Sequence, residues 1–228
     1  CGSMYPEKAT ELVLREKAHL GICLDGDADR VILIDEKGNK VNGDQFMALI
    51  ASFWQQSGRL RGNGIVATVM SNLGFERYLN ELNLHLKRTP VGDRYVVEEM
   101  RKSNYNLGGE QSGHVIMTDY MTTGDGLIAA LQFLAAMVDG EKPASELLKK
   151  FEPYPQIIKN VEYSGKVDFL EQASVKKIIS ESEKKLGSDG RLLIRKSGTE
   201  PLIRIMVEHS DSKLIEEIVQ EISSEMKI

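Results

Sequence analysis

Short apolar runs and apolar positions at helical spacing take turns along this chain. LGICL (20–24) and VILI (31–34) are continuous apolar runs of strand length, and DEKGNK (35–40) supplies the turn chemistry of a hairpin. Both runs read as buried strands. Between Asp44 and Gly58 the period changes, and Phe46, Met47, Ile50, Phe53 and Trp54 fall on one helical face, with Asp44 as N-cap and Gly58 past the C-terminus. GIVATVM (64–70) follows as a strand, 73–82 as a helix, LHLKR (84–88) as a strand and DRYVVEEMRKS (93–103) as another helix. That βαβα rhythm predicts an α/β fold, a parallel-rich or mixed sheet with helices on both faces.

Further on, VIM (115–117) reads as a short strand that leads through TTGDG (122–126) into a long apolar helix, with Asp125 near the helix start, and Pro143 opens a helix over 143–151. EPYPQ (152–156) holds two prolines and reads as a linker. Beyond it IIKNVEYS (157–164), RLLIR (191–195) and LIRIMVE (202–208) are strands, with a helix ending at Gly187 and a last helix from about Asp211 that sets Leu214, Ile218, Ile222 and Met226 on one face. This second part predicts a small α+β domain with helices on one side of antiparallel strands. At the other end, the amphipathic helix of PEKATELVLREKA (6–18) needs a preceding strand upstream, and the chain opens at Cys1 rather than Met, so it reads as a piece of a longer protein.

Composition narrows the function. The 29 Lys and Arg against 34 Asp and Glu give a net charge of −5, which argues against a dominant nucleic-acid or anionic-membrane surface and leaves anions to local basic pockets. Two cysteines, Cys1 and Cys23, are too few for a disulfide framework and fit a reducing cytoplasm. The most apolar stretch, LIAALQFLAAMV (127–138), is interrupted by Gln132 and shorter than the roughly 20 residues that cross a bilayer.

Five polar stretches interrupt this pattern. LDGDADRV (24–31) places Asp25, Asp27 and Asp29 at alternate positions between the first two strands and closes with Arg30. Carboxylates a few Å apart repel by about 1–4 kcal/mol per pair, and three oxygen ligands in an extended loop suit a hard cation such as Mg²⁺; the alternative is an exposed acidic turn. An EF-hand is excluded because Arg30 stands at the sixth loop position, where glycine is needed. RKSGTEP (195–201), followed by Arg204, combines forked donors, the hydroxyls of Ser197 and Thr199, and the close backbone approach allowed by Gly198: a phosphate pocket, or a polar hairpin turn. GGEQSGH (108–114) offers Glu110, Gln111 and Ser112 to sugar hydroxyls or an amine and His114 to proton transfer, or is a glycine-rich turn. TPVGDRYV (89–96) offers Asp93 as a helix cap and Arg94 to a ligand, and the same capping reading covers Asp125 of TTGDG.

Taken in order, LDGDADR, TVMSNLG, TPVGDRYV, GGEQSGH and RKSGTEPLIRIMVE closely resemble the α-D-phosphohexomutases, most specifically the branch acting on glucosamine phosphate. The sugar loop favours that branch, since the glucose and mannose enzymes more often carry methionine where Gln111 stands. The resemblance implies four domains around a cleft, each giving one loop, and a phosphoryl shift between the 6- and 1-positions through a bisphosphorylated sugar. It implies that Asp25, Asp27 and Asp29 bind Mg²⁺, that Arg30 lies beside the transferring phosphoryl group, that Glu110 and Ser112 hold sugar hydroxyls, and that Arg195, Ser197, Gly198, Thr199 and Arg204 grip the non-reacting phosphate.

In the family's pattern a phosphoserine loop reads Ser-His-Asn-Pro, yet none of His19, His85, His114 and His209 follows a serine. The chain is therefore expected to carry the end of the second domain (1–40, metal loop), the third (41–151, sugar loop) and the fourth (157–228, phosphate loop), and to lack turnover alone. Pro90 stands where some relatives carry a lysine thought to act as acid or base, which leaves His114 and Arg94 as candidates for proton transfer. The expected partner is a small phosphosugar, with no nucleic acid and no membrane, and the exposed half-domain offers a surface for a homodimer. Two readings compete: a non-catalytic phosphosugar-binding module, and an aspartate-dependent phosphatase built on Asp25 and Asp27.

Overall fold

The computed structural model describes residues 2–3, 5–162, 169–197 and 200–226. The chain divides into two compact units, the first ending at Glu152 and the second starting at Pro153.

The first unit opens with helix α1 (Glu7–Glu16) and a three-stranded antiparallel meander, β1 (Leu20–Leu24), β2 (Val31–Asp35) and β3 (Lys40–Val41). Leu24 pairs with Val31, so residues 25–30 form the hairpin loop and all three aspartates sit on it. Alternation along β2 serves two cores: Val31 and Leu33 join the main cluster, while Ile34 packs with Val13 of α1 and Cys23. LGICL is less buried than its apolar run predicts, with Ile22 40% exposed. The reason is its place at the sheet edge, where β2 is its only partner strand among the described residues.

Helix α2 (Gly43–Gln56) follows, and here the start differs from expectation: Asn42, not Asp44, is the N-cap. The Asn42 side chain accepts from the Gln45 backbone N–H while Gln45 reaches back to the Asn42 N–H, a capping box that places Asp44 inside the first turn. The helix is also buried more widely than one face, because Ala48, Leu49 and Ala51 are covered along with Phe46, Met47, Ile50 and Trp54. It packs into a layer shared with α5 (Gly126–Gly140) and α3 (Leu73–Glu81).

Beneath that layer lies a four-stranded mixed sheet, ordered β5 (His85–Thr89), β4 (Gly64–Thr68), β6 (Leu107–Gly109), β7 (Val115–Met117), parallel except for the β6–β7 hairpin. Period-2 alternation sorts its faces. Ile65, Ala67 and Leu107 meet the main cluster, whereas Val66 and Ile116 turn to Val96 and Met100 of α4 (Asp93–Ser103). Asp125 caps α5 by accepting from Ile128 N–H at 2.8 Å. Helix α6 is shorter than predicted, Ala144–Leu147, since Phe151 leaves it to stack on Phe75 and Tyr78 of α3.

The second unit is the antiparallel sheet β8 (Gln156–Glu162), β10 (Leu202–His209), β9 (Gly190–Lys196), with β10 central. Ile203, Ile205 and Val207 pack on α7 (Ala173–Leu186) and α8 (Ser212–Glu225), giving the expected α+β layer. Asp211 caps α8, whose buried stripe is Ile215, Ile218, Val219 and Ile222.

Candidate functional site

In the first unit three loops are tied together. The β1–β2 loop carries Asp25, Asp27 and Asp29, whose nearest carboxylate oxygens all lie within 4.8 Å of one another. The loop turns through Ala28, a non-glycine residue at φ 60°, and the Asp25 carboxylate accepts from the Arg30 backbone N–H at 3.1 Å with the Arg30 guanidinium 3.6 Å away. Burial pushes the Asp29 carboxyl above the usual carboxylate range; His114 and Arg30 oppose that rise, and Asp25 adds to it. Asp29 Oδ1 is buried and has no partner among the described residues. Hard oxygen donors, mutual repulsion and an orphaned buried oxygen together fit a divalent cation such as Mg²⁺.

The β6–β7 hairpin supplies the second loop. Glu110 N–H donates to the His114 carbonyl and Gly113 N–H to the Glu110 carbonyl, which curls Glu110, Gln111 and Ser112 outward. The Glu110 carboxylate accepts from Gly92 N–H at 3.1 Å and from the Ser112 hydroxyl at 3.3 Å. Gly113 stands at φ +94°, and a Cβ there would meet the Val31 carbonyl at 2.2 Å, so only glycine fits without displacement. Across that close approach Val31 N–H donates to the Gly113 carbonyl at 3.1 Å, which joins the Glu110–Ser112 loop to the strand leaving the aspartate loop. The third loop, at the α5 start, donates Gly126 N–H to the Ala28 carbonyl at 2.8 Å.

A cavity of about 470 Å³ opens beside the second of these loops, lined by Glu110, Gln111 and Ser112 together with Asn42, Thr68, Met70 and Val91. Its size and its mixture of apolar walls and convergent polar groups suit a small polar ligand.

His114 and Arg94 do not line it. The His114 ring is 2% exposed, with Nδ1 3.0 Å from Asp29 Oδ2, so the imidazole braces an aspartate instead of meeting a ligand. Arg94 is exposed and lies over the ring of its neighbour Tyr95, 4.5 Å from its centroid. Asp93 is the first residue of α4, after Gly92 at the N-cap, and makes no side-chain cap.

In the second unit the arginine site rests on strand register. Arg195 of β9 and Arg204 of β10 are direct cross-strand partners, with Asn160 of β8 opposite Arg204 on the far side. Like charges in that relation repel, and the Arg195 pKa is lowered by burial first and by Arg204 second. Arg204 reaches the Glu200 carboxylate at 3.3 Å, while its Nε is buried without a partner among the described residues. Ser197 N–H donates to the Leu202 carbonyl at 2.7 Å. Gly198 and Thr199 lie outside the described residues.

Two family models match the chain: "Phosphoglucomutase/phosphomannomutase, alpha/beta/alpha domain III" over residues 42–154, and "Phosphoglucomutase/phosphomannomutase, C-terminal domain" over residues 152–225. The chain belongs to the phosphoglucomutase/phosphomannomutase family. Among family members, it is 59% identical over 222 residues to a phosphoglucosamine mutase of Roseobacter denitrificans, covering 97% of this chain and 49% of that one. A phosphoglucosamine mutase of Phenylobacterium zucineum is 54% identical over 228 residues, covering 100% and 50%. The chain thus spans about half the length of the curated relatives it matches. Solved structures of the same fold include an N-acetylglucosamine-phosphate mutase in its product complex (21% identity, TM-score 0.74, covering 100% of this chain and 53% of that one). A phosphoglucomutase/phosphomannomutase family protein of Burkholderia thailandensis gives 20% identity and TM-score 0.76, covering 99% and 51%.

Sequence reasoning missed Thr68, Met70, Val91 and Asn42 as cavity lining, and missed Asp44 behind it. A signal for the last two was present in the chain: Asn42 followed three residues later by Gln45 is a capping-box spacing, which frees Asp44 from the cap.

Proposed function

We propose that this chain carries the metal, sugar and distal-phosphate sites of a phosphoglucosamine mutase, which interconverts glucosamine 6-phosphate and glucosamine 1-phosphate through a bisphosphorylated sugar. The observation that carries the reading is the joining of the aspartate cluster to the Glu110–Ser112 loop by Val31–Gly113 and Asp29–His114. Relatives 54–59% identical named phosphoglucosamine mutase support it. Asp25, Asp27 and Asp29 would hold Mg²⁺, which when bound supplies neutralisation of phosphoryl charge. Arg30 neutralises charge from the same loop, Glu110 accepts from sugar hydroxyls while Ser112 donates, and His114 holds Asp29 in orientation. Arg195, Ser197, Gly198, Thr199 and Arg204 grip the phosphate that does not react. Residues 1–40 belong to the second domain of such an enzyme, 41–151 to the third and 157–228 to the fourth, and the setting is cytoplasmic. Among the described residues no helix is long and apolar enough to cross a membrane.

The sequence holds no Ser-His-Asn-Pro, which favours binding without turnover by these 228 residues. Calorimetry of the chain with Mg²⁺ tests both parts. Glucosamine 6-phosphate is expected to bind more tightly than the glucose and mannose phosphates, with binding lost in Arg195→Ala and no mutase turnover. Equal or tighter binding of mannose 6-phosphate overturns the glucosamine assignment, and substantial turnover overturns the absence of the nucleophile.

A further inference from the structure

Asp44 is fully buried, at 0% exposure, yet it does not cap its helix, because Asn42 and Gln45 already do so. Its Oδ2 instead accepts from two donors on two different loops: the Asn72 backbone N–H at 2.8 Å and the Gln111 side-chain Nε2 at 3.2 Å. Asn72 is the N-cap of α3, at the end of the β4–α3 loop that contributes Met70 to the cavity, and Gln111 lines the same cavity from the β6–β7 hairpin. Gln111 is gripped a second time from the same helix, since Gly43 N–H donates to its carbonyl at 2.9 Å. That contact leaves no room for a side chain, as a Cβ on Gly43 would stand 2.1 Å from the Glu110 carbonyl oxygen.

We propose that Asp44 is a positioning residue for the cavity, its carboxylate locking the Glu110–Ser112 loop and the β4–α3 loop to the first turn of α2 so that the two loops hold one spacing. The proposal rests on the sugar-site reading only for the nature of the ligand. Asp44 lies behind the cavity and touches nothing in it, so its action passes through Gln111 and Asn72. An ionised carboxylate suits this role, because both neighbours are donors and the first turns of α2 and α3 add their N–H dipoles. The groups facing Asp44 are Asn72 and Ser71 of the β4–α3 loop, Gln111 of the hairpin, and the Arg88 guanidinium of β5, itself bonded to the Ser71 carbonyl and paired with Glu76. Burial outweighs their combined pull and pushes the Asp44 carboxyl up to about 6. The carboxylate is therefore ionised at neutral pH, and protonation just below it lifts the cost of burying the charge.

Amide hydrogen exchange by NMR on the 228-residue chain, with no ligand added, tests this separately from any sugar assignment. In Asp44→Ala the Asn72 and Gly43 amides are expected to exchange at least tenfold faster at pH 7.5, while Val66 and Ala67 of the central strand keep their protection. In the unaltered chain the same two amides, corrected for intrinsic rates, gain protection as the pH falls from 7.5 to 5, because protonation lifts the cost of burying the charge, and in Asp44→Asn that pH dependence vanishes. Because the folded carboxyl titrates above its unfolded value, the thermal midpoint of the unaltered chain should also rise relative to Asp44→Asn as the pH falls through about 6. Protection of Asn72 and Gly43 that is indifferent to pH in the unaltered chain overturns the proposal, whether or not Asp44→Ala folds.

Discussion

In the first unit three carboxylates crowd within 4.8 Å on a hairpin loop, and in the second two arginines are cross-strand partners on a β-ladder. Each cluster stores repulsion that a counterion of opposite sign would relieve, on the order of 1–3 kcal/mol per pair at an intermediate dielectric. The means of holding them differ. The arginines are brought together by the register of two neighbouring antiparallel strands. The aspartates are held by contacts from chain positions far away: Gly113, His114 and Gly126 reach across to Val31, Asp29 and Ala28. A cluster built on register survives changes around it, whereas a cluster built on cross-loop bonds depends on each brace.

The largest expected effect breaks one such brace. Gly113→Ala meets a backbone carbonyl at 2.2 Å and a positive φ, and should cost roughly 3 kcal/mol or more, read as a lowered urea midpoint together with loss of Mg²⁺ stabilisation. No comparable sensitivity is expected on the arginine side. A smaller effect sharpens the contrast of sign. Mg²⁺ at tenfold excess over its Kd should stabilise the chain by about 1.4 kcal/mol, and inorganic phosphate should do the same at its own site. Asp27→Asn removes the first effect and leaves the second; Arg195→Ala does the reverse, with thermal unfolding as the measurement. Since burial raises the Asp29 carboxyl, protons compete with the metal, and the Mg²⁺ effect should shrink as the pH falls into the acid range. The smallest effect concerns Arg94: Arg94→Ala should shift stability by less than about 0.5 kcal/mol and leave sugar-phosphate binding unchanged, because the side chain rests on Tyr95 at the surface.

Much of this was legible in the chain. Apolar runs and periods located the longer strands and the long helices, because those elements bury faces that the pattern encodes directly, whereas the short strands β3 and β6 fell within stretches read as turns. The three aspartates stood out because like charges at short spacing are costly without a partner, and the two arginines because forked donors beside hydroxyls and a glycine suit an anion. What escaped was set by burial that sequence spacing does not reveal. Asp44 looked like a cap since acidic residues favour helix starts, His114 looked like a proton carrier since an exposed imidazole titrates near neutrality, and Ile22 looked buried since apolar runs usually are. In each case the deciding fact was the neighbour that tertiary packing supplied or withheld.

The Val31–Gly113 bond links positions that are distant along the chain but adjacent in the fold. Neither the acidic hairpin nor the glycine-rich one is thus a self-sufficient module: grafting either onto a new scaffold, or swapping it between related enzymes, would require moving its companion along with it.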